Sequence, residues 1–116
     1  MRLGVLGWPV AHSRSPAMHN AALKAVGLAG WRYQLLPVPP PLLDETVPSL
    51  PPAGFRGANV TIPHKAAALA LATDRTERAA AIGAANTLTF EPGGEIVADN
   101  TDAPALIDRV RGAIGR

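Results

Sequence analysis

The sequence predicts a three-layer α/β/α domain around a mixed, mostly parallel β-sheet, and three stretches carry that prediction. The chain opens as strand, helix, strand, the order of a right-handed βαβ unit with parallel strands. Residues 58–65 repeat the strand-to-helix step. Pro92-Gly93-Gly94 then separates two short runs as a hairpin turn does, so the strands on either side lie antiparallel.

Taken in order, Leu3 to Leu6 is an apolar run stopped by Gly7 and reads as a buried first strand. A polar loop follows to Ser15, which serves as an N-cap, with Pro16 at the first helical position. This helix is expected from about Pro16 to Val26, with Met18, Ala22, Ala25 and Val26 on its apolar stripe and Gly27 ending it. Trp31 to Leu36 alternates as a second strand. Two proline-dense stretches, Pro37 to Pro41 and Pro48 to Pro52, bracket one short helix at about Pro41 to Val47. Prolines at helix ends inside an α/β pattern are structural punctuation rather than a polyproline ligand.

The next strand, Ala58 to Thr61, puts Ala58 and Val60 on one face and Asn59 and Thr61 on the other. Pro63 suits the first helical position, which places Lys65 in the first turn. A cation there opposes the helix dipole at a cost of about a few tenths of a kcal/mol, while an anionic ligand would be favoured. Lys65 is thus either an exposed surface lysine or a residue kept for its chemistry. The helix continues to about Leu71. Asp74 with Glu77 reads as a capping box that starts another helix, ended by Gly83. Thr87 to Phe90 and Glu95 to Ala98 form the hairpin. Asn86 precedes its strand, whereas Asn59, Thr61 and Asp102 lie at or after the ends of theirs. If these groups share one sheet edge, only the strand near residues 87–90 runs against the rest. A last helix is expected over about residues 103–112.

With 116 residues the chain is the size of one domain and long enough for a real core. It has no cysteine, which excludes disulfides and thiolate metal sites and is compatible with a reducing cytoplasm. No apolar run approaches the roughly 20 residues that span a bilayer, and Met1 to Val10 lacks the apolar core of a signal peptide. The formal net charge of +2 comes from scattered Arg and Lys, and two Phe, one Tyr and two Trp are too few for a base-stacking platform. Neither a nucleic acid nor a membrane is an expected partner.

Ser13, Ser15, Asn59, Thr61, Lys65, Asn86, Thr101 and Asp102 fall in loops that a doubly wound sheet brings to one crevice. Hydroxyls, amides, one cation and one anion suit a small polyhydroxylated acid. Each also has a structural reading: Ser15 as an N-cap, Asn86 as a turn residue, Asp102 as the cap of the last helix.

The motifs Gly7-x-Pro9-x-x-His12-Ser13-x-Ser15-Pro16-x-x-His19-Asn20, Gly57-x-Asn59-Val60-Thr61-x-Pro63-x-Lys65, Ile82-Gly83-Ala84-x-Asn86-Thr87 and Asn100-Thr101-Asp102 closely resemble the signatures of shikimate dehydrogenase. The resemblance covers nearly the whole chain. It implies the reversible, NADP-dependent reduction of 3-dehydroshikimate to shikimate, in aromatic amino-acid biosynthesis. By that likeness Ser13 and Ser15 hold the substrate carboxylate with Thr61 close by, and Asn59, Asn86 and Thr101 bind the ring and its hydroxyls. Lys65 and Asp102 are the implied catalytic pair: the ammonium protonates the alkoxide formed at the reduced ketone, and Asp102 orients it.

A full member of that family continues into a C-terminal nucleotide-binding domain. No Gly-x-Gly-x-x-Gly occurs here, so no cofactor-binding residue is assigned and NADP is expected to be held by that second domain. The chain is therefore expected to be a substrate-binding domain over residues 1–116, its last helix leading toward the nucleotide-binding domain, and inactive alone. A quinate/shikimate dehydrogenase domain and a non-catalytic shikimate-binding module are the alternatives.

Overall fold

The computed structural model describes residues 1–10, 15–25, 27–28, 30–101 and 105–114. The elements are β1 (Arg2–Gly7), α1 (Ser15–Ala25), β2 (Arg32–Pro37), a 3-10 turn (Pro40–Leu42), α2 (Leu43–Ser49), β3 (Phe55–Val60) and α3 (Lys65–Leu71). They continue with β4 (Asp74–Arg75), α4 (Glu77–Ile82), β5 (Thr87–Phe90), β6 (Ile96–Asp99) and α5 (Ala105–Ile114). Among the described residues the strands form one sheet in the order β2-β1-β3-β5-β6-β4. β5 is antiparallel to β3 and β6, while the other pairings are parallel. The reversed strand anticipated near residues 87–90 is where it was expected.

Helices cover both faces of the sheet. On one, Leu23 of α1 and Leu106, Ile107 and Val110 of α5 pack on Leu3, Val5 and Tyr33. On the other, α2, α3 and α4 set Leu43, Val47, Ala68 and Ala79 against Leu6, Phe55, Ala58, Val60, Leu88 and Phe90. The alternation along β3 follows from the strand period of two. Ala58 and Val60 enter the second cluster, and Gly57 faces the first.

Gly57 is needed there because α5 comes so close. A Cβ at this position would sit 2.8 Å from Val110 Cγ2, 2.9 Å from Leu106 Cδ1 and 3.0 Å from the Leu88 carbonyl oxygen. The side chains have some freedom, but the strand carbonyl does not. Gly57→Ala is expected to destabilise the fold by about 1–3 kcal/mol, as overpacking does. Urea unfolding checks this, and a midpoint equal to wild type would mean that α5 shifts freely.

Several local expectations are corrected. α3 begins at Lys65 rather than Pro63: the His64 N–H donates to the Thr61 carbonyl at 3.0 Å, so a turn containing the cis Ile62–Pro63 peptide comes first and His64 takes the N-cap position. Lys65 remains in the first turn. On α1 the anticipated stripe is wrong. Met18 is 68% exposed and Ala22 and Ala25 are exposed, whereas His19 and Leu23, one turn apart, are buried. A flat imidazole stacked on the Tyr33 ring takes the core place that an apolar count assigned to Met and Ala. Val26 lies outside the described residues.

The capping box is also corrected. Asp74 belongs to β4, which pairs with β6, and the N-cap of α4 is Thr76, whose Oγ accepts from the Ala79 N–H at 3.2 Å. Gly83 ends α4 with φ 80°, as its position predicts. Pro48 does not end α2 but lies inside it. It falls in the last turn, where Thr46 and Ser49 hydroxyls bond the Leu42 and Thr46 carbonyls.

Candidate active site

The carboxyl ends of the parallel strands gather most of the described residues singled out in the sequence. Thr61, the first residue after β3, donates its N–H to the Leu6 carbonyl of β1 at 2.9 Å, and the Trp8 N–H reaches the Ile62 carbonyl at 3.2 Å. These bonds carry the β1–β3 pairing past the end of the strands and fix the loop that leads to Lys65. His64 is buried at 1% exposure, and its Nε2–H donates to the Val38 carbonyl at 2.6 Å. The buried ring thereby anchors the start of α3 to the end of β2.

Lys65 itself is exposed, and its side chain makes no hydrogen bond or ion pair to a described residue. Its backbone is held. The Lys65 carbonyl accepts from the Ala85 N–H at 2.9 Å. One residue on, Asn86 donates its N–H to the Asp99 carbonyl at 3.0 Å and accepts from the Val60 N–H at 2.8 Å. The 83–86 loop is thus pinned between the ends of β3 and β6, with the first residue of α3 beside it.

Asn86 joins two of the strand ends through its side chain. Its Oδ1 accepts from the Thr101 N–H and the Thr87 hydroxyl, both at 2.9 Å, and its Nδ2 donates to the Thr101 carbonyl at 2.6 Å. Both lone pairs of Oδ1 are then in use, and one Nδ2 hydrogen is left for a ligand. Thr87 and Thr101 hydroxyls lie 3.1 Å apart. Asn100 adds a bond from Nδ2 to the Ala84 carbonyl at 3.0 Å. Asn59, half-buried on β3 and in register with Thr87, accepts the Tyr33 O–H on Oδ1 at 2.7 Å.

Of the residues singled out in the sequence, Asn59, Thr61, Lys65, Asn86 and Thr101 therefore lie along one edge of the sheet. Ser13 and Asp102 fall outside the described residues, as does the side chain of Ser15, which opens α1.

Sequence reasoning passed over Asp99, Tyr33 and His64. Asp99 is 3% exposed at the end of β6, just before the Asn100-Thr101 step. Arg78 from α4 binds it through two nitrogens at 2.7 and 2.8 Å, and Arg109 from α5 at 2.6 Å. The Thr76 hydroxyl and the Asn100 N–H add bonds at 2.8 and 2.7 Å. The Arg78 guanidinium above all, then Thr76, Asn100 and Arg109, hold this carboxyl well below the usual carboxylate range, against burial acting in the opposite direction. The signal available in the sequence was a carboxylate closing the strand Ile96-Val97-Ala98. Its two arginine partners, from separate helices, leave no spacing to read.

The family model described as shikimate dehydrogenase substrate binding domain matches residues 5–88. The shikimate dehydrogenase (NADP(+)) of Paracoccus denitrificans is 56% identical over 108 residues, which are 93% of this chain and 38% of that protein. The crystal structure of Mycobacterium tuberculosis shikimate dehydrogenase superposes with TM-score 0.80 at 46% identity, over 98% of this chain and 42% of that one. Shikimate 5-dehydrogenase from Thermus thermophilus, solved in complex with NADP(H) and shikimate, gives TM-score 0.81 at 39% identity, over 97% and 42%. The chain spans about two-fifths of the length of these relatives. It belongs to the shikimate dehydrogenase substrate binding domain family.

Proposed function

We propose that this chain is the substrate-holding domain of an NADP-dependent shikimate dehydrogenase, an enzyme that reversibly reduces 3-dehydroshikimate to shikimate. The observation that carries the reading is the bonded edge that brings Thr61, Lys65, Asn86 and Thr101 together, in a chain whose relatives bear that name. Lys65 is the proton donor. As the ketone is reduced, its oxygen gains negative charge, and an ammonium on the first turn of α3 neutralises it and hands over a proton; in the reverse direction the amine takes that proton back. Asp102 orients the ammonium and a substrate hydroxyl. Ser13 and Ser15, with Thr61 beside them, hold the carboxylate, while Asn59, Asn86 and Thr101 bind the ring and its hydroxyls.

At the end of the first strand the described residues leave no room for a dinucleotide's phosphates. A phosphate cradle needs open backbone at the end of the first strand. Here Gly7 is closed off, since a Cβ there would collide with Val10 Cγ1 and Thr61 Cγ2. What this chain supplies is binding and one proton; the partner that holds NADP is a nucleotide-binding domain. No helix among the described residues is long and apolar enough to cross a membrane. A cytoplasmic location accords with a chain that has no cysteine.

Titrating the chain with shikimate and following its amide NMR signals tests this. Shifts are expected at Ser13, Ser15, Thr61, Lys65, Asn86, Thr101 and Asp102, with no turnover when NADP or NAD is added. Shifts concentrated elsewhere would overturn the site, and turnover by this chain alone would overturn the division of labour.

A further inference from the structure

The side chain of Asn59 is held from beneath by a residue that no ligand need touch. Tyr33 is only 3% exposed. Its ring stacks on His19 with centroids 4.3 Å apart and planes at 11°. Asn20 bonds both its backbone groups: the Tyr33 N–H donates to Asn20 Oδ1 and Asn20 Nδ2 donates to the Tyr33 carbonyl, each at 2.9 Å. With backbone and ring both fixed, the phenol reaches across β1 from β2 and donates to Asn59 Oδ1 at 2.7 Å.

That bond decides what Asn59 can offer. A free amide presents an acceptor or a donor according to how it rotates. A phenol O–H on Oδ1 holds one orientation, and neither Nδ2 hydrogen bonds a described residue. We propose that Tyr33 is a positioning residue: it locks Asn59 as a hydrogen-bond donor, so that the site selects a ligand oxygen with a free lone pair. A hydroxyl, ketone or carboxylate oxygen of a small hydroxylated acid has one; an ammonium group does not. The stacked pair of His19 and Tyr33, with Asn20 as the clamp, keeps that donor aimed. This inference rests on the shikimate-site reading of Asn59.

The experiment is a double-mutant cycle read by NMR, on the wild-type chain, Tyr33→Phe, Asn59→Ala and the double variant. Phenylalanine keeps the ring and its stacking and removes only the O–H. In Tyr33→Phe the Asn59 side-chain amide signals are expected to shift and exchange faster without ligand, with the backbone spectrum otherwise preserved. Shikimate affinity is expected to fall about fivefold, the size of one lost net hydrogen bond. In the Asn59→Ala background, Tyr33→Phe is expected to add nothing. Equal affinity for Tyr33→Phe and wild type, or an undiminished loss in the Asn59→Ala background, would overturn the role of Tyr33 alone. A wild-type chain that shows no shikimate-dependent shift would overturn the shikimate reading and the ligand role of Tyr33 with it, even where the Asn59 amide still responds to Tyr33→Phe.

Discussion

Lys65→Ala is expected to cut kcat for shikimate oxidation by about 10²- to 10⁴-fold, the usual worth of a positioned group that takes or gives the proton. The assay joins residues 1–116 to the remainder of the Paracoccus denitrificans relative, which is 56% identical over the shared segment. KM is expected to move much less than kcat, because a Lys65 side chain in this role acts on charge that develops only as the carbon–oxygen bond changes order. The fold should not suffer. Lys65 is exposed and its structural bond, from the Ala85 N–H, goes to its backbone carbonyl, which alanine keeps. Alanine also relieves a cation at a helix N-terminus, so the urea midpoint of the variant is expected to equal or slightly exceed that of wild type. Loss of rate without loss of stability separates a chemical role from a structural one. A kcat within about tenfold of wild type would remove Lys65 from the mechanism.

Much of this was legible from the chain because local rules and topology agree. The reversed strand at 87–90 follows from one hairpin signal and one requirement, that Asn86 share an edge with Thr61. Gly83 could be read as a helix stop because a left-handed residue there must be free of a Cβ clash. What was not legible depended on long-range pairing. The His19 imidazole is core only because Tyr33, on the next strand, offers it a ring to stack on. Asp74 looks like a cap until β6 claims it as a strand residue, leaving Thr76 to cap α4. The site shows the same division. Asn59, Thr61, Lys65, Asn86 and Thr101 are polar groups at strand ends and stand out along the sequence. The residues that hold them, Tyr33, His64 and Asp99, are buried, and sequence spacing gives no sign of the partners they find.

Asp99→Asn is expected to lower stability at neutral pH by about 2–3 kcal/mol, a large part of the roughly 5–15 kcal/mol that holds a domain of this size. The carboxylate gathers α4, α5 and the start of the Asn100-Thr101 step around one buried charge, and an amide of the same shape keeps only one oxygen to accept from five donor contacts. The side chains of Arg78 and Arg109 remain 52% and 45% exposed, so water takes over part of what they lose, which keeps the cost below that of stranding a buried charge. The pH dependence gives the sharper test. Asp99 has its carboxyl depressed in the fold, so its contribution is complete above the unfolded-state value near 3.8 and drains away as pH falls toward the lower folded value. The stability gap between wild type and Asp99→Asn is therefore expected to be constant from pH 7 to 5 and to shrink below about pH 4. Taking the difference between the two proteins cancels the other carboxylates, which both share. Urea unfolding at pH 7, 5 and 3 measures it, and a gap that persists undiminished at pH 3 would show that packing at residue 99, not its charge, ties these helices to the sheet.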